Sequence, residues 1–189
     1  MEKISLCLLG RRFGVEIDMN LLVSDIDLNI NLGEDENSRY VNLSALKISN
    51  CQGCFSCWTK TPGKCVIRDD AVSVYPLIAK SRNLIYVTRT KFGSYDTPLK
   101  TLLERCLPVQ QAFIRLYHGE THHVQRSVQM KNAVIIAYGC ISQEEKDVFE
   151  KLVSRNSHNM MFENYRVIFT GEEELRHIVK EEVLQWKNY

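Results

Sequence analysis

The feature that most constrains this chain's fold is an alternation of short apolar runs, rich in β-branched residues, with longer stretches that open on helix caps. ISLCLL (residues 4–9), RYVNL (39–43), NLIYVT (83–88), NAVIIAY (132–138) and YRVIFT (165–170) read as five strands. Several are apolar on both faces, as strands of a covered parallel sheet are. Between them, Asp69 and Asp70 open AVSVYPLIAKS, Asp96 with Thr97 and Pro98 opens LKTLLERC, Ser142 opens QEEKDVFEKLVSR, and Gly171 with Glu172 to Glu174 opens LRHIVKEEVLQW. Caps and carboxylates suit a helix's first turn, where backbone N–H groups lack partners and the dipole favours negative charge. The β-α-β-α order implies an α/β domain, a parallel sheet covered by helices on both faces. Five strands favour the order 2-1-3-4-5, which puts ligands at the carboxyl ends of the strands.

One segment resists this pattern. Residues 15–37 (VEIDMNLLVSDIDLNINLGEDEN) should hold the first helix, yet they are rich in Asp, Asn and β-branched residues, which are poor helix formers. They read as a weak helix, or as an irregular or extended excursion. With 189 residues and 44% apolar content the chain can bury one sizeable core, so residues 1–189 are expected to form a single domain. Lys+Arg 24 against Asp+Glu 23 leave a charge of +1, too little field to draw nucleic acid or an acidic membrane surface. The first apolar run is too short for a signal sequence, and nowhere do about 18 apolar residues run together as a membrane span needs. The expected compartment is the cytoplasm, where clustered cysteines bind metal or do redox chemistry more often than they form bridges.

Four of the 7 cysteines, Cys51, Cys54, Cys57 and Cys65, fall within fifteen residues. Composition alone would put about half a cysteine there. In CQGCFSCWTKTPGKCVIRDD the two-residue spacers let successive thiolates address one centre, and Thr61-Pro62-Gly63 supplies a turn that returns Cys65 toward the others. Four thiolates on one iron-sulfur cube is the sharp reading. Buried, unligated thiols are the bland one, with zinc and a disulfide behind both. Zinc sites usually join two separate knuckles, whereas here Cys54 would serve two overlapping ones.

The same cysteine loop with its Asp-Asp, together with KFGSYDTPLKTLLER (residues 91–105), resembles the NADPH-dependent FMN reductase and iron-sulfur flavoprotein family of flavodoxin-like proteins. The resemblance implies a flavodoxin-like three-layer α/β/α sandwich with a five-stranded parallel sheet of order 2-1-3-4-5. It also implies FMN across the carboxyl ends of the strands, a 4Fe-4S cluster on Cys51, Cys54, Cys57 and Cys65, and NAD(P)H as electron donor. A homodimer or higher homo-oligomer follows from it too, the partner covering part of the flavin. The FMN edge then comprises Gly10, Arg11 and Arg12, then Thr90, Lys91, Phe92, Gly93, Ser94 and Tyr95, and finally Tyr138, Gly139 and Cys140. Three loops depart from the family pattern. Gly10-Arg11-Arg12-Phe13-Gly14 lacks the hydroxyls of a phosphate loop, Thr88-Arg89-Thr90-Lys91 replaces Ser-Pro-x-aromatic, and a glycine-rich loop shrinks to Tyr138-Gly139-Cys140.

The expected function is electron transfer or NAD(P)H-linked flavin reduction, in which flavin and cluster carry the redox chemistry and no side chain need act as acid or base. The altered loops leave a second reading, a flavin-less relative serving as a binding or scaffold subunit. Arg11, Arg12, Arg89 and Lys91 form an anion-site candidate, set against ordinary solvated charge. Glu120, His122 and His123 in GETHH form a candidate metal or proton-transfer site, set against a plain surface loop. Cys7, Cys106 and Cys140 read as core or near-core thiols, and Trp58 as a cofactor shield or an interface anchor. Walker, HExxH and GxGxxG patterns are absent from the sequence, which leaves hydrolase and kinase readings unsupported.

Overall fold

The computed structural model describes residues 18–33 and 35–186. In chain order these form β1 (Met19–Ser24), β2 (Ser38–Asn42), the one-turn helix α1 (Ser56–Thr59), α2 (Ala71–Lys80), the long β3 (Ser81–Lys91) and the two-residue β4 (Ser94–Tyr95). Then follow α3 (Thr97–Glu104), β5 (Gln110–Tyr117), β6 (Glu120–Gln125), β7 (Lys131–Tyr138), α4 (Gln143–Met160), β8 (Phe162–Thr170) and α5 (Glu172–Gln185). The main sheet runs β2-β1-β3-β7-β8 with every neighbour parallel, the 2-1-3-4-5 order expected. The two-residue β4 folds back antiparallel on the end of β3, and β5 with β6 makes a separate hairpin.

The central strand corrects the sequence reading. ISLCLL at residues 4–9 lies outside the described residues, and Met19–Ser24 holds the position between β2 and β3. Its Leu21, Leu22 and Val23 are fully buried, alternating between the two faces of the sheet. The described residues between β1 and β2 therefore contain no helix. The cause is local: Asp27 accepts the N–H of Asn29, Asn31 that of Gly33, and Asp35 that of Asn37, three turns spaced four residues apart. Such side-chain bonds offer the backbone an alternative to a helical ladder. Tyr40 fixes the strap by accepting the Leu28 N–H at 2.9 Å and donating to the Ile26 carbonyl at 3.2 Å.

Two cores flank the sheet. One packs α2, α3 and α4 through Val74, Ile78, Leu99, Leu102, Phe149 and Val153 against Leu21, Leu84 and Ile135. On the other face, Leu175 and Val179 of α5 meet Leu22, Ile85 and Ile136, and Ile26, Leu28, Ile30 and Leu32 of the strap cover the area a first helix would cover. The third layer is thus half helix and half strap.

Register is pinned by an amide ladder. Asn164 donates to Asn132, Asn132 to Asn83, Asn83 to Asn20, and Asn20 to the Ser38 hydroxyl, at 3.1, 3.4, 2.9 and 3.1 Å. These residues are direct register partners across β8, β7, β3, β1 and β2. Helix starts behave as expected where side chains cap: Asp96 accepts the Thr97 N–H, and Ser142 with Glu145 forms a reciprocal capping box. At α2 the two carboxylates divide: Asp69 accepts the Ala71 N–H at 3.2 Å as expected, whereas Asp70 makes no side-chain cap bond and accepts the Lys47 N–H instead.

Candidate functional site

The cysteine loop leaves the carboxyl end of β2 and is clamped against the end of α3. Positive φ at Gly53 (62°), Phe55 (55°) and Gly63 (82°) turns the chain back on itself, with Phe55 in a left-handed conformation that non-glycine residues seldom adopt. The Thr61 hydroxyl donates to the carbonyls of Ser56 and Lys64 and closes the return turn, so that Cys65 comes back toward the other three. Cys51, Cys54, Cys57 and Cys65 line one pocket with Phe55, Val66 and Arg105. All four are free thiols, as are Cys106 and Cys140. Burial pushes the Cys57 thiol up, and the neighbouring Cys65, Cys51 and Cys54 push it further, whereas hydrogen bonds from Ser56 hold exposed Cys54 down.

Arg105 organises this loop. Its side chain is 1% exposed and grips Asp69 through two N–H groups, at 2.7 and 3.0 Å. The same guanidinium donates to the Ser49 carbonyl at 2.7 Å, the Ile67 carbonyl at 3.3 Å and the Cys65 sulfur at 3.4 Å. Asp69 accepts the Ser49 N–H and Asp70 the Lys47 N–H, so the Asp-Asp pair staples residues 47–49 rather than serving chiefly as a helix cap. Trp58 donates its indole N–H to the Leu107 carbonyl and packs its ring 4.6 Å from His123. It anchors the loop to the β5–β6 hairpin within the molecule.

As a donor set, four soft thiolates in a largely apolar pocket with a guanidinium N–H on one sulfur suit an iron-sulfur cluster. No three described cysteine sulfurs lie within 4.8 Å of one another, so the thiols do not ring a single ion, for which bonds of about 2.3 Å would require closer approach.

The expected flavin edge divides. Phe92 and Gly93 form a tight turn with φ of 53° and 67°, joining β3 to β4 through the pairs Thr90–Tyr95 and Lys91–Ser94. Gly93 is required twice over, since a Cβ there would lie 2.8 Å from Val148 Cγ1. Phe92 is 87% exposed, Lys91 and Cys140 are also exposed, and Ser94 is half-buried. Tyr95 and Tyr138 instead point inward: Tyr95 packs edge-on to Phe149 and Tyr138 donates to Asp25 at 2.9 Å. Thr90 is buried with its hydroxyl unpartnered. Cys140, expected near the core, is on the surface, while Cys106 is buried as expected and Cys7 lies outside the described residues.

Gly10, Arg11 and Arg12 also lie outside the described residues, and the loop that follows β1 is residues 25–33. Buried Asp25 occupies its start, accepting the Arg89 N–H at 2.6 Å and the Tyr138 hydroxyl. Burial raises the Asp25 carboxyl, and those two donors partly oppose the rise. The nearby cation Arg89 is held by Glu172 at 2.6 Å. A carboxylate already takes the donors at this strand end, and among the described residues between β1 and β2 no helix offers N–H groups. The loop after β1 therefore does not fit the phosphate of FMN.

The parallel order, the two covered faces and the cysteine loop define a flavodoxin-like α/β protein. No protein-family model matches the chain. It is 34% identical over 85 residues to an iron-sulfur flavoprotein of Archaeoglobus fulgidus, a match covering 43% of this chain and 38% of that one. The likeness thus spans well under half the length of the curated relative. Among solved structures, an FMN-dependent NADH-azoreductase of Bacillus anthracis in complex with FMN superposes with TM-score 0.55 at 11% identity, covering 88% of this chain and 96% of that one. An NAD(P)H:quinone oxidoreductase of Methanothermobacter marburgensis gives 0.55 and 11%, over 88% and 95%. These likenesses bear out the flavodoxin-like fold and the resemblance carried by the cysteine loop. No described helix is long and apolar enough to cross a membrane.

Proposed function

We propose that this protein is a flavin-linked redox protein that moves electrons through a 4Fe-4S cluster on Cys51, Cys54, Cys57 and Cys65. The observation that carries the reading is the convergence of four thiols on one pocket beside a buried guanidinium that donates to Cys65 at 3.4 Å. A bound cluster supplies one-electron chemistry. Around it the thiolates hold, Arg105 favours the more reduced charge state by donating to a sulfur, and Phe55, Val66, Leu107 and Pro108 limit water. The space among the side chains is about 20 Å³, so binding a cluster would require the thiols to move apart.

The names of the relatives support FMN and NAD(P)H as the linked cofactors, and they favour this reading over a scaffold subunit. With Asp25 at the end of β1, the residues that would hold a flavin are Phe92, Gly93, Ser94, Gly139 and Cys140, which would serve its ring rather than its phosphate. Exposed Phe113, Ile114 and Leu116 on β5 offer apolar area for a second copy, in keeping with a homodimer. A cytoplasmic setting suits free thiols and a reduced cluster.

Anaerobic purification followed by absorbance, iron and sulfide assays tests the proposal. The expected result is about four iron and four sulfide per chain, lost in Cys57→Ser, with flavin bands gained on incubation with FMN. Colourless, iron-free protein overturns the cluster. Failure to bind flavin at saturating concentration overturns the flavin link.

A further inference from the structure

The β5–β6 hairpin meets α4 at a cluster of ring nitrogens and one carboxylate. Glu120 and His122, two apart on β6, point to the same side of the strand. Glu120 Oε2 lies 2.9 Å from His122 Nε2 and 3.2 Å from His158 Nδ1 of α4, and the three ligand atoms fall within 4.8 Å of one another. For tetrahedral coordination with bonds of about 2.0–2.1 Å, ligand atoms should sit about 3.3 Å apart. The two spacings to Glu120 are already near that value.

His122 Nδ1 lies 3.0 Å from the side-chain Oδ1 of Asn159, which leaves Nε2 as the ring nitrogen that faces Glu120. An outer carbonyl that fixes a ligating histidine's tautomer is the usual support of a metal site. Tyr117 stands edge-on to His122 and His158, and the His118 ring stacks on His158 at 5.5 Å, so aromatic surface closes one side. Arg155 pairs with the other oxygen of Glu120 but is 70% exposed, free to swing into solvent.

We propose that Glu120, His122 and His158 bind a divalent transition-metal ion of the zinc type, with a fourth position open to water. One carboxylate and two imidazoles form a borderline-soft set that suits zinc, cobalt or nickel over calcium or magnesium. The ion ties the hairpin to α4. It is separate from the cysteine loop, whose thiols differ from it in ligand chemistry.

Cobalt(II) titrated into the anaerobically prepared protein distinguishes the two. One equivalent is expected to bind with ligand-field bands and no thiolate charge transfer. Binding should weaken at least about tenfold in His122→Gln and His158→Gln, and persist in Cys57→Ser. Arg155→Ala removes the competing cation and should tighten binding. Circular dichroism of the metal-free variants checks that the fold is kept. If cobalt binds solely through thiolates, or the histidine variants bind as tightly as the parent, the proposal is overturned.

Discussion

Asp69→Asn is the most informative change in the cysteine loop, because it keeps the volume of the clamp and removes its charge. Arg105, 1% exposed, would remain buried against the Ser49 and Ile67 carbonyls with no counter-ion. Breaking a buried pair from one side costs about 3–5 kcal/mol. The amide keeps one acceptor, so the lower end, about 3 kcal/mol, is expected at neutral pH. Burial works to raise the Asp69 carboxyl, but the N–H groups of Arg105 and Ser49 outweigh it and bring it from 3.8 down to about 2. A folded value below the unfolded one means that the stabilisation is full above the unfolded value and is lost as pH falls through about 2. The gap between parent and variant should therefore be flat from neutral pH to about 4.5 and narrow below it. Urea unfolding followed by far-UV circular dichroism, stepped from neutral pH to about 3, measures both magnitude and slope. A variant within about 0.5 kcal/mol of the parent at neutral pH, or a gap that widens on acidification, would refute the clamp.

Three further outcomes are expected. Asp25→Asn keeps hydrogen bonds to the Arg89 N–H and the Tyr138 oxygen without burying charge, so the melting temperature should rise by about 2–4 °C near neutral pH. Because the Asp25 carboxyl is raised, its ionisation costs stability as pH rises, and the gain should shrink on acidification; a lower melting temperature contradicts this. Gly93→Ala meets both a φ of 67° and Val148 Cγ1 at 2.8 Å, and should lower stability by about 1–3 kcal/mol in urea, partly restored by Val148→Ala. If flavin binds ring-first, fluorescence titration should give FMN and riboflavin affinities within about threefold, whereas a preference for FMN above about tenfold would reinstate a phosphate cradle.

Much of the fold is legible in the sequence because its signals are local. NLIYVT and NAVIIAY hold unbroken apolar runs, YRVIFT holds a shorter one after Arg166, and the Asp96 and Ser142 caps announce the helices that follow. The central strand is less legible, because MNLLVS is embedded among Asp and Asn and its apolar run is short, whereas ISLCLL, with the more obvious apolar run, lies outside the described residues. The Asp-x-Asn and Asn-x-Gly spacing of residues 27–37 was the signal for a strap without a helix, since each pair is a self-closing turn. The β5–β6 hairpin was missed because its strands bury little, and His118-Gly119 with φ of 49° and 78° marked its turn. At the cysteine loop the ligand residues were visible in spacing. Arg105 was not, because it comes from α3's far end and belongs to the site only through tertiary contact.

The amide ladder has a consequence of its own. Every rung donates toward β2, ending where Ser38 donates to Asp35, so reversing one amide would set carbonyl against carbonyl on one side and N–H against N–H on the other. The rungs turn together or not at all. A strand that slips by one residue sends its asparagine to the opposite face and opens the chain. Four identical asparagines cannot tell β1 from β3, β7 or β8, however. The ladder works as a parity check: it detects a misaligned strand and is blind to a misplaced one, leaving strand order to the connections.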